Sequence, residues 1–297
     1  MIKRILVALH DRQDPGTCLD KAALLEHFSG AVVEVVQSCW DAISDEPTEH
    51  FPQEQVESIA TRLKATELEN LSATLATYKT RVADLQVEVL WAKHHATAVA
   101  RHAIATGADL IIAPRHARHA SPHLSLPEAL KLAAQAHVPL LLASAAQWGS
   151  QPNVLASVDA GNPEHDALNR AIGQRAEELA TLLNGELHLA SIDCASTSAA
   201  IPDETVKAYR ARALQGRTEA LQQLADGLRS SGNGPHVITD EIVVGLQRLV
   251  RDHSAEILVM GTAARTGLQR LFVGNTAEAV LKHITDTDIL LIPSPHR

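Results

Sequence analysis

The residues with the clearest chemical potential lie in Met260-Gly261-Thr262-Ala263-Ala264-Arg265-Thr266-Gly267 and Val273-Gly274-Asn275-Thr276-Ala277-Glu278, directly after the apolar run Ile257-Leu258-Val259. A strand, a glycine turn and a helix start are written there in order. Glycine lets a backbone approach a ligand closely, and the unpaired amides opening a helix attract anions, so the junction is a candidate phosphate cradle. Arg265 and Arg270 flank it; each can fork onto phosphate oxygens or pair with a carboxylate. Asn275-Thr276-Ala277-Glu278 also forms a capping box unaided, so capping alone and capping with anion binding both fit. Asp159 ends another apolar run before Gly161-Asn162-Pro163, where it can serve a ribose, a base or a metal, or cap the helix entered at Pro163.

Other constellations carry less. His116, His119 and His123 have a spacing that would place rings on one helical face, as neutral imidazole ligands of zinc require. Pro114 and Pro122 oppose a helix there, Arg115 and Arg118 repel a cation, and no Cys is near, so these read as loop histidines and no metal site is expected. His94 and His95 are adjacent and would point apart on a helix. The sequence has no nucleophile elbow, paired-carboxylate signature, metalloprotease helix or Walker lysine. No catalytic residue is assigned, and binding is expected rather than turnover.

The elements that must position these residues occur twice. Ile5–His10 corresponds to Val154–Asp159, Ala108–Pro114 to Ala255–Gly261, and Val138–Ser144 to Thr287–Ser294, each about 150 residues on, or one domain length. The runs are short and continuously apolar, as in strands covered on both faces, and amphipathic stretches separate them. Helices are expected over Pro15–Ser29, Gln53–Tyr78, Thr97–Thr106, Pro127–Ala136, Pro163–Leu183, Glu204–Arg229, Ile242–Ser254 and Asn275–Ile284. The alternation predicts an α/β fold with two tandem doubly wound parallel sheets. Domains over 1–146 and 152–297 follow, joined by the linker Gln147–Pro152. The last strands of both halves are placed at sheet edges, able to join the halves or whole molecules. Polar segments Asp41–Glu49 and Asp193–Ser198 are expected as loops after the second strand of each half, at the edge where lids operate.

Composition bounds the function classes. The chain has 297 residues, is 45% hydrophobic and carries a formal charge of −9 without a Lys/Arg stripe, which disfavours nucleic acid and anionic membranes as partners. Its apolar runs have strand length, so no membrane insertion is expected. Met1–Val7 is followed at once by Asp11 and Asp14, with no signal cleavage pattern, which reads as a first strand of a cytoplasmic protein. Cys18, Cys39 and Cys194 are odd in number and far apart, which argues against a disulfide framework.

Val158-Asp159 closing a first strand, Ala255–Gly261 on a fourth, and Gly274-Asn275-Thr276-Ala277-Glu278 opening the last helix resemble the universal stress protein family. The duplication resembles its tandem type, and Gly261-Thr262-x2-Arg265-Thr266-Gly267 is similar to its E group. The resemblance implies two five-stranded sheets of the adenine-nucleotide alpha-hydrolase-like fold, packed as an intramolecular pseudo-dimer. Members that bind ATP carry Gly-x2-Gly-x9-Gly-(Ser/Thr) and an Asp ending the first strand. The matching positions are Asp159, Met260, Gly261, Ala264, Gly274 and Asn275, with Arg265 and Thr276 as neighbouring carriers. Ala264 replaces the second glycine, and Asn275 replaces the hydroxyl residue. In the first half Pro114–His123 lacks glycine and His10 takes the place of Asp159, so a nucleotide site is expected only in the second. The implied role is stress-response binding and regulation, with ATP and Mg²⁺ or another anionic or amphiphilic small molecule in domain 2. A weak ATP hydrolase or phosphoryl-transfer protein using the same loop, and a ligand-free interaction scaffold, are the alternatives. Homodimer and monomeric pseudo-dimer both stay open.

Overall fold

Ile5 to Leu9 are buried without interruption, the pattern of a strand covered on both faces. It makes up all but the first residue of β1 (Arg4–Leu9) in a computed structural model that describes residues 1–10, 15–45, 52–115, 126–194, 204–228, 233–262 and 275–294. Two compact units divide the chain, Met1–Ala143 and Ser144–Arg297.

The first unit continues with α1 (Gly16–Ser29), β2 (Val32–Cys39), α2 (Gln53–Thr74), β3 (Leu85–Trp91), α3 (His95–Thr106), β4 (Leu110–Pro114), α4 (Leu126–Gln135) and β5 (Leu140–Ala143). Its strands lie in the order β3-β2-β1-β4-β5, all parallel. The second unit contains β6 (Asn153–Ser157), α5 (Asp166–Leu182), β7 (Glu186–Cys194), α6 (Glu204–Asp226), β8 (Asn233–Asp240), α7 (Ile242–Asp252), β9 (Ile257–Thr262), α8 (Asn275–His283) and β10 (Asp288–Pro293). Its order, β10-β9-β6-β7-β8, repeats the first, again all parallel. The doubly wound fold is therefore present twice. In each unit the chain leaves the central strand to one side and returns on the other, so the β1/β4 and β6/β9 carboxyl ends are topological switch points, where ligands bind in such sheets.

The repeat extends to the turns. Arg4 pairs with Val32 and Asn153 with Glu186, which aligns Gly30-Ala31 with Asn184-Gly185. Gly30 and Asn184 both take a left-handed conformation after their helices, at φ 67° and 51°. In the second unit the glycine has moved one place on, because a Cβ at Gly185 would sit 2.0 Å from the Pro152 carbonyl oxygen.

Helix bounds differ from the sequence expectation in small ways. α3 begins at His95, and Pro163–His165 forms a separate 3-10 turn ahead of α5. The loop expected at Asp193 starts later, because β7 stays paired with β8 through Cys194. Residues 195–198 of that segment lie outside the described residues; of Asp41–Glu49, Ala42–Asp45 form a 3-10 turn. The expected linker is fastened to the second unit. Asp288 accepts from the Ser144 amide and hydroxyl, both at 2.7 Å, and from Trp148 Nε1 at 2.9 Å, while Glu256 accepts from the Gly149 amide. No helix among the described residues is long and apolar enough to cross a membrane.

Candidate functional site

Asp159 follows β6 at the switch point of the second unit, and its carboxylate is already engaged. Arg217 Nη1 of α6 donates to Oδ1 at 3.0 Å; on Oδ2, His165 Nδ1 lies at 2.8 Å and Asn162 Nδ2 donates at 3.2 Å. Burial alone would push the Asp159 carboxyl up, but the bonds from His165, Arg217 and Asn162 outweigh it and hold the group below its ordinary value. Asn169 of α5 pins the backbone: its Oδ1 accepts from the Asp159 amide at 3.1 Å and its Nδ2 donates to the Asp159 carbonyl at 2.8 Å.

Arg217 is the hub. The same Nη1 donates to Ser191 Oγ at 3.0 Å, and Nε lies 3.7 Å from Asp193 Oδ1, so one guanidinium spans the loop after β6 and groups on β7. Gly161 lets α6 come close enough for this. It has φ 79°, and a Cβ there would lie 3.3 Å from the Arg217 Cα, so both the turn and the approach favour glycine. Beside this turn a cleft of about 390 Å³ runs between α5 and α6, with Gly161, Asn169 and Arg170 toward the Asp159 loop and Leu224 and Leu228 among its apolar walls.

Met260 and Gly261 lie on β9, beside β6, so they and Asp159 share the switch point. Met260 is buried. Gly261 has a packing role of its own: a Cβ there would meet Leu168 Cδ2 at 2.7 Å and Ile172 Cδ1 at 3.1 Å, so its absence lets α5 lie against β9. Asn275 and Thr276 open α8 and are exposed, with Glu278 in the first turn. Ala264, Arg265 and Gly274 lie outside the described residues, as do Arg270 and the histidines at 116, 119 and 123.

Sequence reasoning missed Arg217, His165, Asn169 and Ser191. Nothing local could have signalled Arg217, one of several charged residues on a largely exposed 23-residue helix. His165 and Asn169 did carry a signal, since they sit one and two turns beyond Asn162-Pro163 and face back toward the strand end.

The first unit builds its switch point from different chemistry. His10 stands where Asp159 stands, and its ring meets that of His95, the first residue of α3, edge to face with centroids 5.0 Å apart. Ser38 Oγ lies 2.9 Å from His95 Nδ1. Burial, and then the neighbouring His10, lower the His95 pKa to about 4, so the ring is neutral at physiological pH.

The chain is similar to known proteins along almost its whole length. The chain is 24% identical over 299 residues to universal stress protein E of Photorhabdus laumondii, covering 98% of this chain and 94% of that one. It is 23% identical over 306 residues to universal stress protein E of Escherichia coli K12, with the same coverage. A crystal structure of a universal stress protein from Pseudomonas aeruginosa UCBPP-PA14 matches with a TM-score of 0.69 at 23% identity, over 98% of this chain and 93% of that one. That likeness concerns the fold. The model of the universal stress protein family matches twice, over residues 1–144 and 152–292, and the chain accordingly belongs to the universal stress protein family as a tandem of two such domains.

Proposed function

We propose that the chain is a cytoplasmic stress-response binding and regulatory protein whose second domain takes a nucleotide or a related anionic small molecule between the ends of β6 and β9. The observation that carries this reading is the juxtaposition at one switch point of Asp159, an ionised acceptor, with the glycine-bearing end of β9 that leads on to α8. A nucleotide has the matching polarity. Its hydroxyls or exocyclic amine would donate to Asp159, and its phosphates would accept from amides at Asn275 and Thr276 in the first turn of α8. Gly274, Ala264 and Arg265 complete the proposed cradle, and Mg²⁺ would accompany ATP there. Calorimetric titration of ATP with Mg²⁺ tests it. Micromolar binding that disappears in Gly274→Asp is expected, and no heat with the wild type, or equal binding by the variant, would overturn it.

A second reading has specific support. Both Asp159 oxygens are bonded within the chain and Gly261 is explained by α5 packing, so the domain would also hold together as a ligand-free scaffold. Under that reading thermal stability is indifferent to a panel of nucleotides and anions, whereas the binding reading expects a rise with ATP. The same titration tests the hydrolase alternative: metal-dependent loss of ATP that vanishes in Gly274→Asp would establish turnover.

A further inference from the structure

Three histidines far apart in the sequence meet in the second unit, away from Asp159. His188 lies on β7, His236 on β8, and His253 directly follows α7. Ring centroids are 4.4 Å apart for His188 and His253, 4.3 Å for His236 and His253, and 5.9 Å for His188 and His236. One ring nitrogen from each lies within 4.8 Å of the other two. His188 is 5% exposed, and its Nδ1 and the Nε2 of His236 are buried with no hydrogen-bond partner. Leaving a buried polar atom unsatisfied is costly, so two within one cluster of rings call for a partner.

We propose that His188, His236 and His253 form a binding site for a divalent transition-metal ion of the zinc class. Imidazole nitrogen suits such ions, and three histidines with one open position are an established donor set. A tetrahedral shell at Zn–N of about 2.0–2.1 Å brings its nitrogens to about 3.4 Å from one another, so the rings must close in by about an ångström. His253 can supply that movement. It is only partly buried and ends a helix, while its carbonyl accepts from Asn153 Nδ2 at 2.9 Å and holds its backbone in place. Glu186 Oε2 lies 4.0 Å from His188 Nε2, on the ring edge opposite the orphaned Nδ1, where a carboxylate orients a ligating imidazole. Burial, and then the neighbouring rings, lower the pKa of His188 and His236, which favours the neutral, ligating form.

The first unit supplies an internal control. Strand register puts Glu34 where the second unit has His188, since Leu6 pairs with Glu34 as Leu155 pairs with His188. Glu34 is fully served by protein, with Arg4 Nη1 at 3.1 Å on one oxygen and His102 Nε2 at 2.8 Å on the other. The same place is closed by an ion pair in one unit and by three converging imidazoles in the other. An ion there would tie β7, β8 and the turn after α7 together at the end of the sheet opposite Asp159.

The test uses untagged full-length protein stripped with a chelator and titrated with Zn²⁺ against a chromophoric chelator, with Co²⁺ substitution read by visible absorption. One tight equivalent is expected, with cobalt bands of tetrahedral intensity. His236→Gln and His253→Gln should each weaken zinc by more than about tenfold, if losing a ligand costs at least what losing its supporting partner does. Both rings are partly exposed, and unfolding of the metal-free variants checks that they fold. His116→Gln/His119→Gln/His123→Gln should bind as the wild type does. No stoichiometric zinc, unchanged affinity in folded His236→Gln and His253→Gln, or loss confined to the triple variant would each overturn the proposal.

Discussion

At the end of β1 the first unit sets two histidines against each other, one of them with its pKa lowered to about 4, while at the end of β6 the second sets a carboxylate held ionised under a guanidinium. The strand order around both is the same. A doubly wound sheet thus delivers side chains to a place without dictating their charge. What the second unit adds is Arg217, carried in on a helix that Gly161 allows to approach, which together with His165 and Asn162 makes an ionised Asp159 tolerable in a half-buried position. Function in such a fold belongs to the site rather than to the topology.

The largest expected break in the symmetry is at a turn. Gly185→Ala places a methyl 2.0 Å from a backbone oxygen that cannot move without pulling Pro152, and should cost about 3 kcal/mol or more. Its positional counterpart in the first unit is already alanine, buried beside β2, and Ala31→Gly should cost only about 1 kcal/mol through chain entropy. Urea unfolding of the two variants measures both. Equal losses would mean that the two strand entries are not equivalent.

Acid should separate the switch points next. His95 is lowered from 6.5 to about 4, so the unfolded chain binds the extra proton first as pH falls. Its contribution is complete above about pH 6.5 and is lost progressively toward pH 4, roughly 3 kcal/mol in all. Asp159 behaves otherwise. Its folded pKa is depressed, so its contribution is present above the ordinary carboxylate value of 3.8 and lost only as pH falls through the lower folded value. Because His188 and His236 also have lowered pKa values, the comparison is made between variants. His95→Gln should flatten the stability profile between pH 7 and 4, and Asp159→Asn should leave that window unchanged. An unchanged slope in His95→Gln would show that the ring is solvated.

What the sequence disclosed follows from the range of the interactions involved. Continuous apolar runs such as Ile257-Leu258-Val259 reveal buried parallel strands because every residue must be apolar, and the two copies reinforce each other; the doubly wound fold came from that pattern, while the grouping of Asp159 with Gly261 came from the family resemblance. The partners of Asp159 were hidden. Arg217 lies on another helix far along the chain, and the three histidines of the second unit reach one another only across β7, β8 and the turn after α7. The histidines that spacing did single out, at 116, 119 and 123, lie outside the described residues. Gly261 illustrates a different loss of information. The same absent Cβ serves a ligand approach and a helix packing, and only the 2.7 Å to Leu168 reveals the second.

The smallest effect is the most diagnostic of the second unit. Arg217→Met removes the bonds to Asp159 and Ser191, but the Asp159 side chain is 45% exposed and keeps His165 and Asn162, so water makes up much of the loss. A cost of about 1 kcal/mol is expected, together with a rise of the Asp159 pKa toward its ordinary value that carbon-detected NMR titration would follow. The consequence for ligand is sharper. Arg217 occupies Oδ1, one of the two carboxylate oxygens that a pair of ribose hydroxyls would use, so the proposed ligand competes with an internal bond of about 1 kcal/mol. Releasing that bond in advance should tighten ATP binding by up to about tenfold. Weaker binding in Arg217→Met would instead mean that the guanidinium itself holds the ligand's phosphates, making the residue an anchor in the second unit where the first has histidine rings.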